Sequence, residues 1–296
     1  MFKSRLGFGG ITFNIINTLI LFAFTFICIY PFYYIIISSL SSPGAISRGV
    51  YLWPEDFSIE SYRRILVTPG ISRSAFISLA RTALGTFIAV ACSTFVGYIF
   101  SYQEIPFRKF IYRFMIITMY LNAGLIPYYL TMRMYGFNNN FLVYIVPGAL
   151  SAYFVVLVKT FIEQLPASLE EAAIIDGAGI LTIFNRVIFP LSRPIIATIG
   201  VFAAVGQWNS WFDNLIFMVG RPDLNTLQIM LYNILNKAAS ISNQIDTNTA
   251  EQLAKRITPD SIRTTTTMIV TFPILFAYPF AQRYFVKGIM IGAIKG

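Results

Sequence analysis

A chain of 296 residues that is 56% hydrophobic and only 12% charged departs from a water-soluble domain, in which about a quarter of residues are charged. It has no histidine, and its two cysteines, Cys28 and Cys92, lie in apolar runs, so zinc ligation, imidazole catalysis and a disulfide framework lack the residues to build them. The net charge of +9 comes from basic residues scattered beside apolar runs, a pattern of membrane orientation and lipid headgroups rather than of nucleic-acid binding.

Six intervals carry no Asp, Glu, Lys or Arg: Arg5 to Arg48, Arg81 to Glu104, Arg113 to Arg133, Arg133 to Lys159, Arg193 to Asp213 and Arg263 to Arg283. Each runs for about 19 residues or more, close to the ~20 that a helix needs to cross a bilayer core. The expected fold is therefore all-α, a polytopic membrane protein with about six transmembrane helices near 11–38, 73–100, 110–132, 141–162, 193–218 and 263–284.

Taken in chain order, Lys3 and Arg5 precede the first run as in a secretory signal. That run is far longer than a signal core of ~7–15 residues and has no small-x-small cleavage site, so a membrane span is expected. An exposed stretch containing Trp53-Pro54-Glu55-Asp56 follows. In the second span Gly85, Ala89, Ser93 and Gly97 recur every four residues, a small-residue stripe that lets helices approach closely. Pro31, Pro127, Pro147, Pro273 and Pro279 fall inside spans and should kink them. The basic ends, with Lys3, Arg5, Arg283, Lys287 and Lys295 and no acid, are expected on the cytoplasmic side, with residues near 45–70 and 225–255 outside. The resulting organisation is 1–72 (tail, first span and external loop), 73–284 (core, with a cytoplasmic loop at 163–192) and 285–296 (cytoplasmic tail).

The loop between spans four and five reads Leu165-Pro166-Ala167-Ser168-Leu169-Glu170-Glu171-Ala172-Ala173-Ile174-Ile175-Asp176-Gly177-Ala178-Gly179. Ser168 with Glu171 three residues on is a capping-box pattern that predicts a helix start, and Gly177 and Gly179 predict its end. A second short helix is expected over 181–188, closed by Pro190 and Pro194. A short helix with a small-residue face, held between two spans, suits docking into a groove of another protein. It equally suits an ordinary interfacial loop in which Glu171 only caps the helix.

In span five, Trp208 lies about 15 residues past Arg193, ~22 Å into a core ~30 Å thick. Gln207, Trp208 and Asn209 need partners there, either on neighbouring helices or along a substrate path where sugar hydroxyls and a ring face would meet them. Trp211 reads as an interfacial anchor. Arg81 and Asp213 fall near the outer ends of their spans and are expected to snorkel toward water.

The loop resembles that of permease subunits of type I ATP-binding-cassette importers. These carry Glu-Ala-Ala, three residues, Gly, nine residues and Ile-x-Leu-Pro. Here Glu171-Ala172-Ala173, Gly177 and Val187-Ile188-Phe189-Pro190 stand at that spacing, with Val for Ile and Phe for Leu. Gln207-Trp208-Asn209 and Pro190-Leu191-Ser192-Arg193-Pro194 are similar to the sugar-importer branch related to the maltose-importer permease. Asn122-Ala123-Gly124-Leu125-Ile126-Pro127 and the ending Gly292-Ala293-Ile294-Lys295-Gly296 resemble its oligo- and polysaccharide subgroup, alginate permeases among them.

The resemblance implies a type I importer permease fold in a bacterial cytoplasmic membrane, and transport of a sugar. It implies as partners a second homologous permease, two ATP-binding-cassette ATPase subunits, an extracytoplasmic substrate-binding protein and membrane lipid. Glu171, Ala172, Ala173, Asp176, Gly177, Arg186 and Pro190 would form the ATPase-coupling element, and the tail through Lys295 and Gly296 would touch the same ATPases. No Gly-x-x-x-x-Gly-Lys-[Ser/Thr] loop occurs in the sequence. The chain is thus expected to have no catalytic residue, metal or cofactor of its own, with ATP and Mg on the partner ATPases. The competing reading is an ion-gradient-driven secondary transporter, which would explain the spans but not the loop.

Overall fold

The structure, a computed structural model, describes residues 8–242 and 259–293, and every regular element among them is helical. Two compact units are present. The first draws on the described residues of 1–68 and 233–271, the second on those of 69–232 and 272–293.

In the first unit, α1 (Phe8–Ser39) is apolar all round and almost wholly exposed, with Phe13, Leu19, Phe22, Phe26 and Ile27 each more than half accessible. Its stretch Gly10–Ser39, of mean hydropathy 2.2, is long enough to cross a bilayer, and lipid is the surrounding that its all-round apolar surface fits. The buried end of α1 packs Ile37 with Ala45 and Val50, where α2 (Pro43–Arg48) follows a Ser42 cap. The short α3 (Glu60–Val67) joins this unit through Tyr62, whose hydroxyl donates to Ser39 Oγ at 2.7 Å. Ser61 also meets Ser261, in the first part of the helix Pro259–Ala293, at 3.1 Å.

The second unit is built round α4 (Ile71–Ser101), which packs on α7 (Ala152–Ile162) and α11 (Arg193–Asn209). The stripe of small residues is the seam: Gly85, Ala89, Ser93 and Gly97 are all buried. A Cβ on Gly97 would sit 2.7 Å from Val158 Cγ1, closer than atoms can approach, so only glycine permits the α4–α7 spacing. Two apolar clusters lie at opposite ends of α4. One gathers Ile77, Val143, Tyr144, Ile145, Phe217 and Met218, and the other Tyr98, Val158, Ile162, Ile183, Ile188 and Ile199.

The spans are less continuous than the uncharged intervals suggest. Only Gly10–Ser39 and Ile71–Ser101 cross-qualify as single helices among the residues described, and two bent pairs raise the number to four. The interval 110–132 is split into α5 (Arg108–Tyr120) and α6 (Leu125–Met134), bent by 119°. There Asn122 Oδ1 accepts from Gly124 N at 2.9 Å and Gly124 takes a φ of +84°, a turn that a continuous helix cannot hold. The interval 141–162 opens with a 3₁₀ turn, Phe141–Tyr144, and becomes helical only after Ser151 caps α7. The interval 193–218 breaks where Ser210 is extended, between α11 and α12 (Phe212–Phe217). Hydropathy reports the apolar surroundings in each case, while side-chain-to-backbone bonds and glycine dihedrals decide where the helix stops.

Candidate functional site

Two places in the second unit concentrate chemistry, one at each end of α4. The first is the loop after α7. Its helix α8 spans Ser168–Ile175, as the sequence predicts, but the capping box is not formed. Leu169 N bonds Pro166 O and Glu171 N bonds Ala167 O, so the Pro166-led turn is already helical at Ala167 and the Ser168 side chain does not cap. Gly177 does end the helix. With φ at +78° it lets Ala178 N reach back to Ala173 O at 3.0 Å, satisfying a terminal carbonyl. Gly179 instead precedes a second turn, α9 (Ile180–Ile183).

The second helical segment closes just past Pro190. A π-helical turn, Phe184–Ile188, runs into α10 (Phe189–Leu191), and the chain then bends by 79° at Ser192 into α11. Pro190 has no N–H to return to the carbonyl four residues back, and the wider turn accommodates that missing bond for the last residues before the helix stops.

Residues of this loop divide by face. Glu171, Ala172, Asp176, Gly177 and Arg186 are exposed, whereas Ala173 and Pro190 are half-buried. Ala173 and Ala178 pack onto the inner cluster of Ile183 and Ile188, which anchors α8 from below. Ile175 in α8 is 85% and Leu181 in α9 62% exposed, apolar side chains left open in the same loop as the exposed Glu171 and Asp176. Glu170, which the sequence reading passed over, turns inward and accepts from the buried Tyr98 hydroxyl at 3.1 Å. Helical geometry alone would have shown the division, since neighbouring residues point about 100° apart and a Glu-Glu pair cannot serve one face.

The second place is a cavity of about 360 Å³ where α4, α11 and the break before α12 meet, with Tyr128, Tyr144, Phe202, Gln207 and Asp213 in its wall. Arg81 also lines it. Far from snorkelling, its side chain is 3% exposed and held on every side. Its Nε donates to Gln207 Oε1 at 3.0 Å, and Nη1 donates to Ser210 O and to Asp213 Oδ1, each at 3.1 Å. Nη2 donates to Asp213 Oδ2, and the Tyr144 ring lies 4.5 Å from the guanidinium carbon. A charge in an apolar interior is tolerated only when paired and hydrogen-bonded in this way, which is why Arg81 points inward. The break supplies what a continuous helix could not: a free Ser210 carbonyl, and Asp213 in the first turn of α12 with Asn214 N donating to it at 2.8 Å.

Of the three residues expected along a path, Gln207 alone faces this cavity. Trp208 is 8% exposed and packed in the interior, while Asn209 is exposed and accepts from Gln228 Nε2 at 3.3 Å. Trp211 stacks on Tyr232, ring centroids 4.5 Å apart. Asn214 is a further polar residue with no mark in the sequence: buried, it accepts from Thr226 N at 2.8 Å and so fixes the chain after the break. Among the described residues no three His, Cys, Asp or Glu side chains gather as they would round a metal ion. Lys295 and Gly296 lie outside the described residues.

Residues 89–291 match the family model of the binding-protein-dependent transport system inner membrane component, a stretch that includes the loop, α11 and the C-terminal part of α4. The chain belongs to this family. It is 31% identical over 290 residues to the protein LplC of Bacillus subtilis, covering 97% of this chain and 96% of that one. It is also 31% identical over 278 residues to the polygalacturonan/rhamnogalacturonan transport system permease protein YtcP of the same organism, covering 93% and 96%. Its fold matches a chain from the crystal structure of a bacterial ABC transporter involved in the import of the acidic polysaccharide alginate. The TM-score there is 0.83 at 28% identity, over 96% of this chain and 99% of the other. The architecture is thus that of a type I importer permease, and the permease reading prevails over an ion-gradient-driven carrier.

Proposed function

We propose that this permease forms half of the translocation path of an ATP-driven importer for an oligo- or polysaccharide, and that α8 is where ATP hydrolysis on partner subunits reaches the membrane helices. The observation that carries the coupling role is the two-sided loop. Its inner face is packed into the unit through Ala173 and Ala178, while Ile175 and Leu181 are left open along with Glu171 and Asp176. Exposed apolar side chains interspersed with acids along a short helix and the turn after it suit a groove in another protein. Energy would enter as contacts at these side chains that differ between the open and closed states of an ATPase pair.

Glu171, Ala172, Asp176 and Gly177 would touch the ATPase, with Arg186 and Pro190 carrying the motion into α11. A second permease, two ATPases and an extracytoplasmic binding protein complete the assembly. Both termini lie in the cytoplasm, and ATP and Mg are held by the ATPases. The names of YtcP and of the alginate importer support a polymeric or oligomeric sugar as cargo. The cavity beside Gln207 offers an amide and two tyrosines, groups that suit hydroxyls and ring faces.

The test is a reconstituted complex in lipid with binding protein and ATP. Glu171→Lys reverses a charge on an exposed position and leaves the packed face intact, so it should assemble but lose sugar-stimulated hydrolysis and uptake. Wild-type uptake in that variant would remove the coupling role.

A further inference from the structure

The Glu170–Glu171 pair does two jobs on two faces, and only the outward one belongs to the coupling motif. Glu170 is half-buried on the side of Ala173, while Glu171 is exposed, as Ile175 and Leu181 are. The contact that Glu170 makes is the bond from Tyr98 Oη at 3.1 Å. Tyr98 is 0% exposed near the end of α4, and α4 is the long apolar helix whose other end holds the Arg81 pair.

The Tyr98 ring is locked as firmly as its hydroxyl. It stacks on Phe184 with centroids 5.3 Å apart, and Phe184 in turn meets Phe95 edge-on at 5.4 Å and Phe189 at 6.0 Å. Phe184 opens the π-helical turn Phe184–Ile188, which runs into α10 ahead of the 79° bend to α11. One tyrosine therefore touches three things: its own membrane helix, the docking helix by a hydrogen bond, and the wide turn ahead of α11 by its ring.

The α8 side chain packed on the inner cluster is Ala173, a single methyl, which can slide and rotate over its neighbours at little cost. A hydrogen bond to a carboxylate is directional, and at a buried hydroxyl its loss leaves a donor without a partner. We propose that Tyr98 is a positioning residue for coupling: its bond to Glu170 fixes the tilt of α8, so that a push on the outer face moves α4 and the π turn together rather than rolling the short helix on its alanine face. This rests on α8 being the ATPase-coupling helix.

The test uses the complete reconstituted transporter in lipid and reads sugar taken up per ATP hydrolysed, with co-purification of the ATPases as the assembly check. Tyr98→Phe keeps the stacked ring and removes only the hydroxyl; Glu170→Ala removes the acceptor; Glu170→Gln keeps an acceptor oxygen. Expected are assembled complexes in which Tyr98→Phe and Glu170→Ala each lower uptake per ATP by about tenfold, the factor that a bond worth ~1.4 kcal/mol sets. Glu170→Gln should recover most of the ratio, and Tyr98→Phe with Glu170→Ala should be no worse than either alone. A purely structural loss would lower the amount of assembled complex and leave the ratio unchanged, and that result overturns the proposal. Additive losses in the double variant, or no recovery with Gln, overturn it as well. Glu171→Lys keeps the two ideas apart. If it alone abolishes stimulation while Tyr98→Phe transports normally, the positioning role of Tyr98 is refuted and the coupling helix stands; if Glu171→Lys is silent, the coupling helix itself falls.

Discussion

Breaking the Arg81–Asp213 pair should destabilise the permease more by removing one partner than by removing both. Arg81 is 3% and Asp213 20% exposed, so neither charge can be rehydrated without opening the packing of α4 on α11. Leaving one member of a buried pair alone costs about 3–5 kcal/mol, and the partial exposure of Asp213 lowers that to roughly 2–4 kcal/mol for Arg81→Met or Asp213→Ala. In the double variant neither charge remains. What is lost is the bond from Asn214 N and the donors to Gln207 Oε1 and Ser210 O, each worth about 1 kcal/mol, partly recovered by the apolar side chain. The double should therefore fall short of the sum of the singles by ~2 kcal/mol. Denaturant titration of the purified permease in mixed micelles, comparing all four proteins, measures this coupling energy. Additivity within about 0.5 kcal/mol would refute the reasoning and make the pair an incidental contact.

Trp208→Ala should lower stability by about 3–5 kcal/mol in the same titration, as an interior side chain does, whereas Gln207→Ala, on the cavity wall, should reduce uptake with the smaller stability loss. Gly97→Ala forces a methyl to 2.7 Å from Val158 Cγ1 and should cost about 1–3 kcal/mol, seen as a lower melting temperature. In the loop after α12, the hydrogen bond from Arg221, aided by the charges of Arg221 and Arg73, holds the Asp223 carboxyl below the usual carboxylate range. With the folded value depressed, this contribution is present above the ordinary pKa of ~3.9 and is lost as pH falls through the lower one, so protease access to 219–226 should rise only in acid. Asp223→Asn should show that access already at neutral pH.

Much of the architecture could be read without coordinates, because it rests on signals that are local and long. The uncharged intervals locate the apolar segments, and the four-residue recurrence of Gly85, Ala89, Ser93 and Gly97 marks the seam that α4 uses. The helix Ser168–Ile175 and its stop at Gly177 were equally legible, since a positive φ favours glycine. The breaks were not. Asn122 bonding Gly124, Asn140 bonding Leu142 and the extended Ser210 are single-residue events inside apolar runs, invisible to any average over a span. Nor was the partner of Arg81 legible. A lone charge near a span end reads as a snorkelling side chain, and only the break before α12 brings Asp213 across to it from 132 residues away.

The two sites share one rigid element. Tyr98 and Arg81 stand seventeen residues apart on α4, about 25 Å along a helix at ~1.5 Å per residue. Tyr98 meets Phe184 in the π turn before the 79° bend into α11, and Arg81 meets Gln207 and Ser210 at the far end of α11. A displacement of the loop is thus met at both ends of α4, by the π turn at one and by the end of α11 at the other. The far contact also sets the electrostatics of the cavity. Arg81 and Asp213 are the charged residues of its wall and neutralise one another, so a sugar carboxylate entering there finds a cation already bidentately occupied. If this cavity lies on the sugar path, as proposed, an acidic polymer would need its counter-charge from a second permease or from movement of Asp213. A neutral one would need only the amide of Gln207 and the rings of Tyr128 and Tyr144.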